Sequence, residues 1–415
     1  MGYTAAGLQD REGWTKPLLV VNSGVFTVQV DSDSALCFHP AWQQHRDTMV
    51  SNTVVMNGHA GPSTTAAHEP DLPPEKLKEK RTVWRNETLR SNLLKSGLQF
   101  IDRFMELLEE TKDVPKPTRK KYLQKMLHAI FFFGRIHNTP IEPREFIPEP
   151  YQDTFRERYP APFEQCTTHL PTKTPYSILL DYVTEVKRFT TPEELMSFLQ
   201  SFNAQLWNQS PEGPHALNAT KFTFTASVIA CCFYDDPQGG ADLHRFYGAS
   251  LSCKGLHERR IMIALSSVKT WHKAMAYAVY HGDKGPAITF PEGVWSQAFQ
   301  FNVKEQKYQE KSPCEKCQQM FRNVNFQPPA LPIAPTNRDK WQYGNCAEVE
   351  SLSKLLLGTR VVEEGVRSTK TPPLNYEAIE RDFTGKIEAE IKAKLIEKLG
   401  SRQFKTKPLQ FFNLQ

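Results

Sequence analysis

The chain has 415 residues and a formal net charge of +5, from 51 basic and 46 acidic side chains. That length allows two or three folding units with a core that needs no disulfide staples. So slight a positive balance excludes the strongly basic class of nucleic-acid-binding domain, though not an anionic partner. A hydrophobic share of 39% with 30 prolines points to a folded body carrying loop-rich parts.

No apolar run approaches the roughly 20 residues of a membrane helix. The start, "MGYTAAGLQDREGW", turns charged within a dozen residues instead of running basic and then apolar as a signal peptide does. The expectation is a cytoplasmic or nuclear protein without a membrane partner. Its cysteines then stay reduced, and clustered ones are metal ligands before they are disulfides.

Residues 1–75 read as a weakly structured segment and linker. Val25, Thr27, Val28 and Val30 suit an extended strand, and "NGHAGPSTTAAHEPDLPPEK" after them is linker-like. His39, His45, His59 and His68 are too irregularly spaced to read as a ligand set, and are taken as solvated.

Residues 76–213 read as a helical domain. Leu94, Leu98, Ile101, Met105 and Leu108 recur at helical spacing, and "VPKP" closes that helix. Tyr122, Leu123, Met126, Leu127, Ile130 and Phe131 mark a second helix, with Phe131 to Phe133 as core. "TTPEEL" predicts a capping box, with Thr191 as cap, Pro192 in the first turn and Glu194 three residues on. The basic runs "EKLKEKR" and "TRKKYLQK" read as solvated helix faces, and a protein partner is one use for this region.

Residues 214–365 read as an α/β domain, with helices on a mixed sheet. "FTFTASVIACCFY", "RRIMIALSS", "GPAITF" and "AFQFNVKE" are taken as strands, and "VKTWHKAMAYAVYHG" as a helix closed by Gly282. Cys231 and Cys232 lie in mid-strand among apolar neighbours and read as core. Residues 366–415 carry a charged helix whose stripe of Ile379, Ile387, Ile391 and Leu395 should pack on the parent fold.

The chemistry-bearing stretches are "PCEKC" (313–317) and "NCAE" (345–348). Pro313 suits a first helical turn, and a helix start favours the thiolate, the form that binds metal. A two-residue gap lets Cys314 and Cys317 reach one ion, although a redox pair or two unrelated helix starts fit the same letters. Cys346 opens a second helix with Glu348 two residues on. Three thiolates would leave one position of a zinc ion free for water, with a carboxylate beside it to accept a proton. No histidine occurs after His281 to close the site.

Together, "PCEKC" and "CAE" resemble the zinc-dependent nucleobase deaminase superfamily, whose signature pairs H/C-x-E with P-C-x-x-C. A cysteine in the first ligand slot, with alanine before the glutamate, is similar to the toxin-type deaminase domains. The resemblance implies a deaminase-like α/β fold over about residues 285–360. Zn2+ would be held by Cys314, Cys317 and Cys346, with Glu348 as catalytic acid/base. It further implies a nucleobase, nucleotide or single-stranded nucleic acid as substrate, cytosine favoured. Tyr343 and Asn345 precede the third cysteine and are candidates for contacting the base; Trp341 is a candidate stacking surface. The chain departs from the family in order, because here "PCEKC" precedes "CAE". The competing expectation is a non-catalytic interaction protein with a structural three-cysteine zinc site.

Overall fold

The computed structural model describes residues 74–208, 223–237, 239, 243–332, 341–404 and 408–414. The strand expected at Val25–Val30, the four N-terminal histidines and the linker before residue 74 lie outside the described residues. Among those described, no helix is long and apolar enough to cross a membrane. The chain is a mixed helix-and-sheet protein with a helical N-terminal region.

The four longest helices before the sheet are α1 (Pro74–Glu110), α2 (Lys116–Arg135), α3 (Pro175–Val186) and α4 (Pro192–Asn208), with two short helices, Gln152–Arg158 and Pro160–Gln165, between α2 and α3. The expected apolar stripes are buried except at Leu94 and Leu98, which are half-buried, and Phe131, Phe132 and Phe133 are at 2% exposure or less. The Thr191 hydroxyl accepts from Glu194 N–H, as a cap does. The Glu194 carboxylate reaches one residue further back than expected, to Thr190 N–H at 2.7 Å.

The main sheet is built from β1 (Val228–Tyr234), β2 (Arg245–Ala249), β3 (Val294–Asn302), β4 (Lys307–Glu310) and β5 (Asn325–Gln327). Its order is β2-β1-β3-β4, antiparallel throughout, and β5 pairs in parallel with the other end of the β3 edge. Ile229, Cys231, Tyr247, Phe299 and Phe301 point to the core shared with α1–α4. The alternating residues face the opposite way, towards α6 (Lys273–His281) and α8 (Ala347–Gly358). Cys231 and Cys232 are both fully buried, as expected.

"RRIMIALSS" is not a strand. It lies in α5 (Leu256–Lys269), where Ile261, Met262, Leu265 and Val268 form one buried face at helical spacing. A short unbroken apolar run satisfies either period, and here the helix wins. β2 and β4 have too few alternating apolar residues to stand out, and were not anticipated. The C-terminal stripe packs on the parent fold as expected. Ile379 lies in α9 (Tyr376–Asp382), a π-turn over Phe383–Ile387 follows, and Ile391 and Leu395 lie in α10 (Glu388–Gly400).

One row across the sheet sets the position of α8. Gly248, Ala230 and Ala298 are register partners on three adjacent strands, and Ala347 sits over Ala230 and Ala298. A methyl at Gly248 would lie 2.4 Å from Ser351 N and 2.5 Å from the Ala347 carbonyl, so only glycine admits the helix at this distance. We predict that Gly248→Ala destabilises the fold by about 1–3 kcal/mol, since the obstacle is backbone and cannot rotate away. Gly385→Ala, with open space around it, should cost nothing. Urea unfolding of both variants checks this; equal midpoints would contradict it.

Candidate metal centre

The two motifs meet because the sheet delivers both helix starts to one place. Beyond β4, Lys311 N–H donates to the Ala298 carbonyl at 2.8 Å, so the ladder carries the chain directly into Pro313 and Cys314. Cys314 is the N-cap of the short helix α7 (Glu315–Met320), which contains Cys317. On the other side, Asn345 C=O accepts from Leu251 N–H at 3.0 Å and pins the residue before Cys346, the N-cap of α8. Gly344 turns the chain there at φ +90, and a Cβ on it would press at 3.0–3.1 Å on Val279, Ile263 and Trp271.

The result is a triangle of sulfurs. Cys314 Sγ lies 3.6 Å from Cys317 Sγ and 3.3 Å from Cys346 Sγ, and all three fall within 4.8 Å of one another. These separations are far too long for a disulfide. Zinc–sulfur bonds of about 2.3 Å in a tetrahedron put neighbouring sulfurs about 3.8 Å apart, so the triangle needs only a small expansion to fit. Cys314, Cys317 and Cys346 are therefore close enough to hold a metal ion, and the softness of three thiolates suits zinc. Hydrogen bonds from the other two thiols hold Cys314 far below the ordinary thiol range. The same bonds raise Cys317 and Cys346, so the cluster favours losing a first proton.

Glu348 is 4% exposed and is the second residue of α8, in its first turn, close to the sulfurs. Among the described residues its carboxylate makes no ion pair. Burial, then the negative charge on Cys314, pushes it up to about 7, partly offset by Cys317 and Lys311. A carboxylate buried against a thiolate cluster, its charge only partly offset by Lys311, is costly unless a further positive centre joins it.

Tyr343 is half-buried and committed to protein: its hydroxyl donates to Gln319, and Lys316 lies 5.3 Å over its ring. The Asn345 side-chain carbonyl is buried with no hydrogen-bond partner. Trp341 is 42% exposed. His272 caps α6 through Nδ1 and meets Glu363 through Nε2 at 3.0 Å, and His281 packs on Tyr277; neither joins the sulfur cluster.

A charged network that the sequence did not reveal fixes the outer side of α8. Lys354 Nζ lies 2.8 Å from Asp181, 3.2 Å from Glu350 and 2.6 Å from the Tyr247 carbonyl. Glu350 also accepts from Ser177 Oγ at 2.8 Å and Ala249 N–H at 3.1 Å, while Lys173 pairs with Asp181. Burial disfavours the Asp181 charge, yet the ammonium groups of Lys173 and Lys354 outweigh it and hold the carboxyl well below its usual range. On the sheet side, Cys232 Sγ meets Ser351 Oγ at 2.9 Å. Two cations and two carboxylates on α3, α8 and the chain before α3 thus lock the site helix to the helical region.

Comparison with known proteins gives no family model, no curated protein and no solved structure that matches this chain. The account of the site therefore stands on its own geometry.

We predict close to one zinc per chain by elemental analysis of protein purified without chelator. Cys314→Ser or Cys346→Ser should weaken zinc binding by more than the about 100-fold typical of losing a supporting residue. Metal content unchanged in both variants would rule out the cluster as the binding site.

Proposed function

We propose that the chain is a zinc-dependent hydrolase that removes the exocyclic amino group from a nucleobase, cytosine favoured, free or in single-stranded nucleic acid. The observation that carries this reading is the Glu348 carboxylate, 4% exposed in the first turn of α8, two residues after Cys346. A structural thiolate site has no need of a buried acid at that position. The resemblance of "PCEKC" and "CAE" to the deaminase signature supports it further. The reversed motif order is compatible with one site, because the β4 ladder and the small-residue row bring both helix starts together.

Bound zinc would supply an acidified water at the position that three protein ligands leave open. Glu348 takes the proton of the attacking water, delivers it to the ring nitrogen, and moves the next to the departing amine. Cytosine plus water thus gives uracil plus ammonia. Asn345, whose side-chain carbonyl is buried with no hydrogen-bond partner among the described residues, would accept from the substrate amino group.

One observation favours a second reading, a structural three-cysteine zinc site in an interaction protein. Cys317 is fully buried and Glu348 only 4% exposed, so neither offers an open surface to a base. Glu348→Gln separates the two. The catalytic reading predicts unchanged zinc content and a loss of about 10²- to 10⁴-fold in ammonia release from cytosine, cytidine or oligonucleotide substrates. Wild-type protein with full zinc that deaminates none of these would sink the catalytic reading and leave the structural one.

A further inference from the structure

A cavity of about 880 Å³ lies away from the cysteines, between α1, the end of α2, the start of α5 and the far end of β3. Neither the three sulfurs nor Glu348 contribute to its lining. Its polar wall carries Arg85, Lys254, Arg259 and Arg402 against a single carboxylate, Glu258. Its apolar wall includes Leu93, Phe133 and Phe301. We propose that this cavity binds a small organic phosphate of mononucleotide size, the phosphate among the arginines and the organic part on the aromatic wall.

Four observations support this. First, among the described lining residues the guanidinium groups of Arg85, Arg259 and Arg402 outnumber the one carboxylate. Glu258 stands 3.8 Å from Arg402 and folds back over Gly255, so it answers at most part of the positive charge. Second, Arg402 Nε and His257 Nε2 are buried with no hydrogen-bond partner among the described residues, groups of the kind that a phosphate satisfies. Third, the cations crowd one another. Burial, then Arg259, pushes Lys254 down to about 8; burial, then Arg402 and Lys398, lowers His257. An anion among them would relieve that repulsion. Fourth, a 14-residue helix, α5, begins here at Gly255 and adds its partial positive end to the same wall, where the Glu258 carboxylate is the one acid of its first turn. The volume lies within the range of sites that enclose small organic ligands.

The cavity also touches the metal centre's support. Leu251 lines it, and Leu251 N–H is the donor that pins Asn345 before Cys346. The binding proposal does not depend on the deaminase reading, and its test does not use activity.

The test is calorimetric titration of the full zinc-loaded chain with AMP, adenosine and inorganic phosphate, on wild type and on Arg85→Glu and Arg402→Gln. Arg85 is exposed on α1, so its substitution leaves the fold intact even if Arg402→Gln does not. The expected result is that AMP binds more tightly than either adenosine or phosphate alone. Its affinity should fall about tenfold or more in Arg85→Glu and weaken as salt rises. No AMP binding at millimolar concentration, adenosine binding as tightly as AMP, phosphate binding as tightly as AMP, or AMP affinity unchanged in Arg85→Glu would each overturn it.

Discussion

The site depends on how closely one helix can lie on a sheet. Gly248, Ala230 and Ala298 form a row of the smallest side chains across three strands, and α8 begins directly over it. Any larger side chain in that row would lift Ala347, and with it Cys346 and Glu348, from the level at which the β4 ladder delivers Cys314. The Lys311–Ala298 hydrogen bond uses the same β3 residue that lies under Ala347. One strand position therefore sets the height of both helix starts, and proximity of the sulfurs follows from backbone geometry before any metal is considered.

Height alone does not fix rotation or register along the helix axis. Those come from the polar groups on α8: Ser351 to Cys232 on the sheet, Ser353 accepting from His272 N–H, and Glu350 and Lys354 in the network with Asp181 and Lys173. Buried ions contribute little net stability because desolvation offsets their attraction, but they penalise every arrangement that separates them. Their effect here is specification. With Glu350 and Lys354 turned to α3 and Ser351 turned to the sheet, Glu348 is left facing the sulfurs.

Much of the site was legible in the letters. Both helix starts, the cap positions of Cys314 and Cys346 and the burial of Cys231 and Cys232 follow from local rules of capping and hydropathy. That the two motifs come together, against their unusual order, was an expectation that only three-dimensional geometry could test. The sequence misled at "RRIMIALSS", where β-branched and apolar residues run together and periodicity cannot choose between strand and helix. It was silent on Gly248 and on the Asp181–Lys354 pair, because both act through partners more than 100 residues away. It was silent too on the 880 Å³ cavity, whose cations come from separate stretches of chain.

The central claim is that three thiolates share one divalent ion and leave a position open beside a carboxylate. X-ray absorption at the zinc edge of the purified full-length chain tests it most directly. The account predicts three sulfur scatterers at about 2.3 Å and one oxygen or nitrogen at about 2.0 Å. A shell of four sulfurs, or of nitrogen and oxygen without sulfur, would contradict it.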